Sequence, residues 1–309
     1  MNRCPITYEP CGNEKYSAKG LKLLSPNLKG LNDLALTQED QLKEAAARAV
    51  KMSIPGVQPK LSTKLKIKEE KFEIVDRGGE YILKPQNNFY TELPENEDLT
   101  MRLAKLIGIE IPIHGLVYSI DGRFTYFIKR FDRYGKNKKL SLEDFAQLAG
   151  KSRKTKYDFS MEKIITLLDQ YCTFPLLEKI RLFRLTLFNY LIGNEDMHLK
   201  NYSIISRDNK VELSPAYDLL NATIASQNVT EEIALLISGK KSNLTSSVLI
   251  KYWGKERLQL NDNVIDQIIQ EIKNVQNKWD ELINVSFLSE KIKEKYLELL
   301  NKRRTKLNI

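Results

Sequence analysis

The chain has 309 residues, 42% of them hydrophobic and 29% charged, which are the proportions of an ordinary globular protein. This length allows one large domain or two modest lobes, each with its own core. No apolar run approaches the roughly 20 residues needed to span a membrane, and the first residues lack a signal-peptide pattern. We therefore expect a cytoplasmic protein with no membrane partner, and its three widely spaced cysteines favour reduced thiols.

The formal net charge of +9 leaves two interpretations open. Clusters of lysine and arginine are usually solvated faces, but one or two of them could bind phosphate-rich partners or acidic protein surfaces. Charge alone does not separate these possibilities. The clusters lie at residues 129–139, 151–156, 240–257 and 302–306.

The first part of the chain predicts mostly strands. Residues 1–36 are rich in turn formers and predict irregular structure. Thr37 and Asp40 form a capping box, which predicts a helix to about Met52. Alternating apolar residues and turn signals then predict the following elements: strands over 61–67, 72–75 and 81–83, a helix over 95–107, and a hairpin over 114–131.

Beyond about Tyr134 the pattern becomes helical. Residues 174–191 form the most apolar helix of the chain, which we expect at the centre of a second lobe. Amphipathic helices are predicted over 262–286 and 289–304. A sheet-rich half thus precedes a helix-rich half, which predicts an α+β fold with an N-lobe over residues 1–133 and a C-lobe over 134–309.

The segment between Gly193 and Asp218 carries the strongest chemical signal. Asp196 and Asn201 have the D-x-x-x-x-N spacing of a kinase catalytic loop. Two short strands, 202–205 and 211–213, separate them from Asp218. In this order a protein kinase places a carboxylate at the substrate hydroxyl and two oxygen ligands on magnesium. Each residue alone would more often cap a helix or serve a turn, but the combination predicts a phosphotransferase.

Lys84 ends a buried-looking strand, where an ammonium group is costly unless it is paired. Glu97 in the next helix is its candidate partner in a phosphate-binding pair, and a lysine that reaches to solvent is the equal alternative. His198 lies within the catalytic loop. With Asp196 it could suggest a metal site, but no third nitrogen or sulfur ligand is nearby, which argues against zinc. His114 reads as an ordinary residue at the start of a strand.

Two further segments are weaker candidates for nucleotide binding. The loop 53–60 could cover phosphates with its backbone N–H groups, although it lacks the standard glycine patterns and could be a plain connector. Residues 127–131 could form a hinge that contacts adenine, with Phe131 stacking on the base. Packing of Phe127 and Phe131 into a core is the alternative.

Taken together, these segments resemble the HipA toxin kinases of bacterial toxin–antitoxin systems. The resemblance covers nearly the whole chain. The matching segments are Cys-Pro-Ile-Thr at 4–7, the loop 53–60, Ile-Leu-Lys-Pro at 82–85, Asn-Glu at 96–97, Arg-Phe-Asp-Arg at 130–133, Glu-Asp-Phe with Gln147 at 143–147, and residues 193–201, 214–218 and 238–244.

The resemblance implies a two-lobed protein-kinase-like fold and a serine/threonine protein kinase that uses ATP and Mg²⁺. It implies that Asp196 is catalytic, that Asn201 and Asp218 hold magnesium, and that Ser53 is autophosphorylated. A phosphate on Ser53 would repel ATP or eject the loop. The ATP-binding residues that it implies are Pro55, Gly56, Val57, Gln58, Pro59, Lys60, Lys84, Lys129, Arg130, Phe131, His198, Leu199, Lys200, Asn201, Tyr217 and Asp218.

The resemblance also implies a substrate and partners. The substrate would be an aminoacyl-tRNA synthetase, for glutamate or tryptophan, whose phosphorylation stops translation. Full-length members carry a small subdomain ahead of the Cys-Pro-Ile-Thr motif, whereas here the motif begins at Cys4, as in short HipT-type toxins. The implied context is a three-component system with a small HipS-like protein in place of that subdomain and a HipB-like helix-turn-helix antitoxin, through which operator DNA is reached. Lys129 departs from the family, where glutamate is common, so its part in ATP binding is open.

Two alternative functions are weighed beside the toxin kinase. One is a kinase-shaped component whose main task is to join an antitoxin on operator DNA, which the basic segments favour, although no helix-turn-helix or aromatic stacking motif is evident. The other is a small-molecule phosphotransferase, which shares the D-x-x-x-x-N arrangement.

Overall fold

The structure is a computed structural model that describes residues 2–48, 58–87, 90–135, 138–226 and 230–309. The chain forms two compact units. The first unit comprises Met1–Leu99, Pro112–Asn137 and Val285–Leu288, and the second comprises Thr100–Ile111, Lys138–Asn284 and Ser289–Ile309. Each unit draws on three stretches of the chain, and the simpler division into 1–133 and 134–309 stays a prediction.

Most strands precede most helices. The strands are, in chain order, β1 (Asn2–Arg3), β2 (Pro10–Gly12), β3 (Leu61–Lys66), β4 (Lys71–Ile74), β5 (Tyr81–Lys84), β6 (His114–Tyr118), β7 (Phe124–Lys129), β8 (Arg133–Tyr134), β9 (Lys138–Lys139), β10 (Leu142–Asp144), β11 (Ser203–Arg207) and β12 (Lys210–Leu213). The α-helices are α1 (Ala18–Leu24), α2 (Gln38–Arg48), α3 (Leu93–Leu106), α4 (Phe145–Leu148), α5 (Met161–Tyr171), α6 (Pro175–Ile192), α7 (Ala222–Ala225), α8 (Asp262–Asn274), α9 (Gln276–Val285) and α10 (Glu290–Leu307).

Two further helical segments have other geometries. A short 3₁₀-helix covers Leu199–Asn201, and a π-helix covers Ser247–Arg257. In the part of the chain that the structure describes, none of the helices combines the length and the apolar character that a membrane crossing requires.

The first unit is built on an antiparallel sheet with the strand order β4-β3-β5-β7-β6. One face of the sheet carries a cluster of aromatic rings. The Phe72 ring centroid lies 5.2 Å from that of Tyr81 and 5.5 Å from that of Phe127. This apolar core holds β5 in the middle of the sheet, so the position of Lys84 at its end is well fixed.

The N-terminal residues are more ordered than predicted. Where the sequence predicts irregular structure, β1 pairs with β2, and α1 begins at the N-cap Ser17, whose hydroxyl accepts a hydrogen bond from the Gly20 backbone N–H. That part of the prediction was wrong because α1 is only 7 residues long and is held by burial of Leu21 and Leu24 rather than by a strong local pattern.

The capping box ahead of α2 is confirmed. The Asp40 backbone N–H donates to Thr37 Oγ1 at 3.2 Å, and the Thr37 hydroxyl donates to Asp40 Oδ2 at 2.7 Å. Helix α2 is described as far as Arg48, and the predicted end at Met52 lies outside the described residues.

The second unit is organised around α6, as its apolar sequence predicts. Leu182, Leu187 and Leu191 are fully buried, and the Arg303 guanidinium on α10 donates to the Tyr190 carbonyl. The helix predicted over 262–286 is in fact two helices, α8 and α9. The break falls at Val275, which caps α8 with its backbone N–H.

A small sheet of the second unit has the strand order β10-β11-β12. The β11–β12 hairpin is confirmed, and its turn residues Asp208 and Asn209 have φ values of 50° and 59°. Two consecutive positive φ angles are typical of the type I′ turn, which Asp and Asn tolerate better than most residues. Strand β10 was not predicted, because its pairing partner lies about 60 residues away in the sequence.

Candidate active site

Gly193 ends α6 and turns the chain into the predicted catalytic loop. Its φ is 79°, and its backbone N–H caps the helix by bonding the Asn189 and Tyr190 carbonyls. A Cβ atom at this position would lie 2.6 Å from Leu299 Cδ2 and 2.7 Å from Asn221 Oδ1. Both the backbone angle and the space therefore require glycine.

The loop after Gly193 exposes one carboxylate between buried neighbours. Asn194, Met197 and Leu199 are buried, whereas Asp196 is exposed. The Asp196 carbonyl accepts hydrogen bonds from the His198 backbone N–H at 2.8 Å and from Asn201 Nδ2 at 3.0 Å. The loop thus folds around the Asp196 backbone and leaves the carboxylate accessible on a rigid support.

Asp218 is tied to the same loop by its neighbour Tyr217. The Tyr217 hydroxyl donates to the Lys200 carbonyl at 2.9 Å and lies 2.6 Å from Ser203 Oγ. Burial raises the pKa of Tyr217, so the hydroxyl remains a donor at neutral pH. Asp218 itself has a φ of 55°, an uncommon angle for a residue with a side chain, and such backbone geometry concentrates at functional sites.

Electrostatic effects place Asp196 and Asp218 in one neighbourhood. Burial lowers the pKa of His198, against the opposing influence of both carboxylates. Burial also lowers the pKa of Lys156, again against both carboxylates. Because the same two groups respond to both aspartates, Asp196 and Asp218 lie in one neighbourhood, beside Asn201, which bonds the Asp196 carbonyl.

The side chains at this site fit a magnesium ion. Asn201 uses its amide nitrogen for the Asp196 carbonyl, which leaves the amide oxygen as the end of the side chain that can serve as a ligand. Asp218 adds a carboxylate. Hard oxygen ligands of this kind, few in number and completed by phosphate and water oxygens, suit magnesium. Among the described residues no group of three or more His, Cys, Asp and Glu is arranged to hold a metal.

In the first unit, Lys84 and Glu97 form a buried ion pair. The Lys84 Nζ atom lies 2.6 Å from Glu97 Oε1, and each residue is only 4% exposed. The ring of Tyr126, the register partner of Lys84 on β7, lies with its centroid 5.6 Å from the ammonium. A charge this deeply buried requires a partner, and Glu97 supplies it.

The residues predicted to form a hinge have identifiable partners within the first unit. Arg130 makes a bidentate pair with Asp132, with distances of 2.9 and 2.7 Å. The Lys129 ammonium lies 5.9 Å from the centre of the Tyr81 ring, and Phe131 is half-buried in a turn. The Arg130 side chain is thus engaged with a carboxylate, and its backbone N–H donates to the Glu80 carbonyl at 2.8 Å.

The predicted phosphate-binding loop is described only at its end. Gln58, Pro59 and Lys60 are half-buried and lead directly into β3. The remaining predicted positions of that loop lie outside the described residues. They are Ser53, Pro55, Gly56 and Val57.

Two other predicted ATP-site residues have structural roles in the catalytic loop. Leu199 is fully buried, and its backbone N–H donates to the Lys156 carbonyl at 3.3 Å. The Lys200 ammonium lies 3.1 Å from Asp144 Oδ2. Asp144 also caps α4 by accepting a hydrogen bond from the Gln147 backbone N–H at 2.9 Å. These contacts anchor the loop to β10 and α4.

Tyr157 is the main residue of the site that the sequence did not reveal. Its hydroxyl donates to Asp196 Oδ1, and its ring packs edge-on against His198 with the centroids 5.1 Å apart. No spacing rule connects residues 39 positions apart. His114 begins β6, as predicted, and its Nδ1 atom lies 2.8 Å from the buried Asp98 carboxylate.

Comparison with known proteins identifies the family. A family model described as the HipA-like C-terminal domain matches residues 52–279, well over half of the chain. The chain belongs to the HipA family. A Haemophilus influenzae protein that is named as a kinase is 31% identical to this HipA-family chain. The alignment covers 100% of this chain and 98% of that relative.

The serine/threonine-protein kinase toxin HipA of Shewanella oneidensis is 30% identical over 60% of the chain, which spans 47% of that toxin. Among solved structures, Shewanella oneidensis HipA in complex with HipB and operator DNA superimposes with a TM-score of 0.70 at 23% identity, over 91% of this chain and 74% of HipA. The Helicobacter pylori proinflammatory kinase CtkA superimposes with a TM-score of 0.60 at 18% identity, over 83% of this chain and 91% of CtkA. The predicted α+β, HipA-like kinase fold is confirmed.

Proposed function

We propose that this HipA-family protein is a toxin of a bacterial toxin–antitoxin system that acts as an ATP- and Mg²⁺-dependent serine/threonine protein kinase. The observation that carries the proposal is the exposed Asp196 carboxylate on a rigid loop, with Asn201 bonded to its backbone and Asp218 in the same neighbourhood. The kinase names of its relatives support it.

In this mechanism Asp196 orients the acceptor hydroxyl and takes up its proton. The hydroxyl oxygen forms a bond to the γ-phosphorus of ATP, the bond from that phosphorus to the bridging oxygen breaks, and ADP leaves. Asn201 and Asp218 would hold Mg²⁺, which neutralises phosphate charge when bound.

The other residues would bind ATP. Lys84, oriented by Glu97, would contact the phosphates, as a lysine–glutamate pair does in protein kinases. Residues 55–60 would cover the phosphates, and 129–131 would contact the adenine. Residues 198–201 and Tyr217 would complete the nucleotide site. These assignments follow the sequence pattern and the family resemblance.

The decisive experiment compares wild type with Asp196→Asn. Purified wild type, incubated with Mg²⁺ and radiolabelled ATP, is expected to label itself, and its expression is expected to stop growth. Asp196→Asn should lose both effects. Unchanged labelling of that variant would refute the assignment of Asp196.

Self-labelling also tests the proposed autophosphorylation site. We expect the phosphate on Ser53, identified by mass spectrometry, and Ser53→Ala should remove it while transfer to other proteins continues. Phosphate located exclusively at another residue would reject Ser53 as the modified position.

A labelled protein band in a bacterial lysate would identify the substrate, which we propose is an aminoacyl-tRNA synthetase. A labelled metabolite without a protein band would favour a small-molecule phosphotransferase instead.

The HipB- and DNA-bound relative supports a HipB-like antitoxin as partner, with operator DNA reached through it. A small HipS-like protein as third component follows from the family resemblance. Binding of the antitoxin should be measured for wild type and for Asp196→Asn. Equal affinity of the two proteins would show that complex formation does not depend on catalysis.

A further inference from the structure

A basic segment of the second unit lies beside the proposed catalytic carboxylate. We call residues 151–158 the strap. It follows α4, where the Lys151 backbone N–H donates to the Ala146 carbonyl at 2.7 Å. Near its other end, the Lys156 carbonyl accepts a hydrogen bond from the backbone N–H of Leu199 in the catalytic loop. One backbone hydrogen bond near each end thus holds the strap beside Asp196.

The strap places a hydroxyl group on Asp196. The Tyr157 hydroxyl donates to Asp196 Oδ1. The ring is held by its edge contact with His198 and by two ammonium groups, from Lys156 and Lys241, which lie 4.7 and 5.9 Å from its centre. A hydroxyl donating to the catalytic carboxylate is the geometry that an acceptor serine or threonine must reach for phosphoryl transfer.

We infer that Tyr157 is an internal occupant of the acceptor position, and that the strap must move away from Asp196 before a protein substrate can bind. This inference rests on the proposed kinase function. It assigns to the strap an inhibitory role within the same chain, in which an intramolecular hydroxyl competes with the substrate hydroxyl for one carboxylate.

The strap is built so that it can be displaced. Tyr157 is 39% exposed, and every other strap residue is exposed or half-buried. Part of its hydrogen bonding is internal to the strap, as between Ser152 and Thr155 and between Thr155 and Asp158, so these bonds survive a movement of the whole segment. Segments with little buried apolar surface open at low free-energy cost.

The test measures transfer from Mg-ATP to dephosphorylated casein by wild type and Tyr157→Phe. Removing the competing hydroxyl should raise kcat/KM for casein about 3- to 10-fold, the effect of one lost hydrogen bond, mainly through a lower KM. The KM for ATP should not change. Tyr171→Phe is the matched control, because Tyr171 is a similarly exposed tyrosine of the same unit at 36%. It should behave as wild type.

A second measurement does not depend on turnover. Hydrogen–deuterium exchange of the strap should be faster in Tyr157→Phe and in Asp196→Asn than in wild type, because each variant weakens the contact. Casein transfer that is unchanged or slower in Tyr157→Phe, or equal strap exchange in all three proteins, would overturn the inference. Absence of transfer to any protein by wild type and both tyrosine variants would instead overturn the proposed function, and the inhibitory role with it.

Discussion

Two neighbouring carboxyl groups in the catalytic loop occupy opposite environments. Asp196 is exposed and accepts a hydrogen bond from Tyr157. Glu195 is more enclosed: Thr223 Oγ1 lies 2.8 Å from its Oε2 atom, and burial raises the pKa of Glu195 to about 7. Only Asp196 therefore offers a carboxylate to a substrate, while Glu195 stays with the helices behind the loop.

The raised pKa of Glu195 makes stability depend on pH. In an unfolded chain a glutamate titrates at about 4.3, so between about pH 4.5 and 7 the native state binds more protons than the unfolded state. The free energy of unfolding must then fall as pH rises through that window. Glu195→Gln, which imitates the protonated form, should reduce this fall and stabilise the protein at pH 8 by about 1–3 kcal/mol.

Urea unfolding at pH 5.5 and pH 8 measures this effect. Glu256→Gln, at an exposed glutamate of the same unit, is the control and should keep the wild-type pH dependence. Burial also raises the pKa of Glu95 to about 7, so part of the dependence should persist in Glu195→Gln. The same difference between the two pH values in wild type and Glu195→Gln would contradict the assignment.

Substitutions of Lys84 and Glu97 should have strongly non-additive effects on the free energy of unfolding. Removing one partner leaves the other charge buried, so Lys84→Met and Glu97→Gln should each destabilise the protein by about 3 kcal/mol. The double variant should lose clearly less than the two losses added together. A double-mutant cycle by urea unfolding measures the coupling.

The exposed pair Lys66–Glu73 in the same unit is the matched comparison. Its atoms lie 3.1 Å apart with side chains 41% and 43% exposed. Exposed pairs contribute little, so its coupling should be far smaller. Equal coupling for the two pairs would show that burial of Lys84 is not what makes the contact strong.

Among single helices, strands and loops, the sequence predicts those that are determined by residues close to one another in the chain. The D-x-x-x-x-N spacing and the Asp208-Asn209 turn indicated the catalytic loop and the hairpin after it. The structure contains the hairpin, and Asn201 bonds the Asp196 carbonyl within the loop. The contact between Tyr157 and Asp196 could not be predicted in this way, because it exists only once the strap has been placed by α4 and the catalytic loop.

The end of α6 at Gly193 allows a test of how an element positions the site. Gly193→Ala introduces a side chain at a φ of 79° and a clash with Leu299 and Asn221. It should destabilise the protein by about 2–4 kcal/mol, since the cost of a left-handed backbone adds to that of overpacking. Because the catalytic loop starts here, self-labelling with Mg-ATP should fall more than tenfold.

Gly150→Ala separates these two causes. Gly150 also has a positive φ, 63°, but an added Cβ would meet nothing within 4 Å. This variant should lose only about 1 kcal/mol and retain most of its labelling. If both variants lost stability equally, the crowding at Gly193 would not matter, and the backbone angle alone would explain the requirement for glycine.

For the whole molecule, the sequence predicted the α+β class and its order but not how the chain is shared between the units. Residues 285–288 come late in the sequence yet belong to the first unit. There the Phe287 ring lies 5.2 Å from that of Tyr8 and 4.9 Å from that of Phe124. Such a contact depends on tertiary packing of one aromatic ring, for which the sequence offers no periodic signal.

A ligand that binds only the native state stabilises the whole molecule. At a concentration 100 times its Kd the gain is about 2.7 kcal/mol, which should raise the Tm by about 4–10 °C. We expect this rise for wild type with Mg²⁺ and a non-hydrolysable ATP analogue, measured by differential scanning fluorimetry. Chelating the magnesium should reduce it.

Asp218→Asn should lose the magnesium-dependent part of this stabilisation, since its neutral side chain is a weaker ligand for a hard cation. Asp208→Asn is a close control: Asp208 also has a positive φ, 50° against 55° for Asp218, and asparagine tolerates that angle at both positions. Asp208 lies in the exposed β11–β12 turn, so its variant should respond to the nucleotide as wild type does. Identical magnesium-dependent shifts in both variants would remove Asp218 from the metal site.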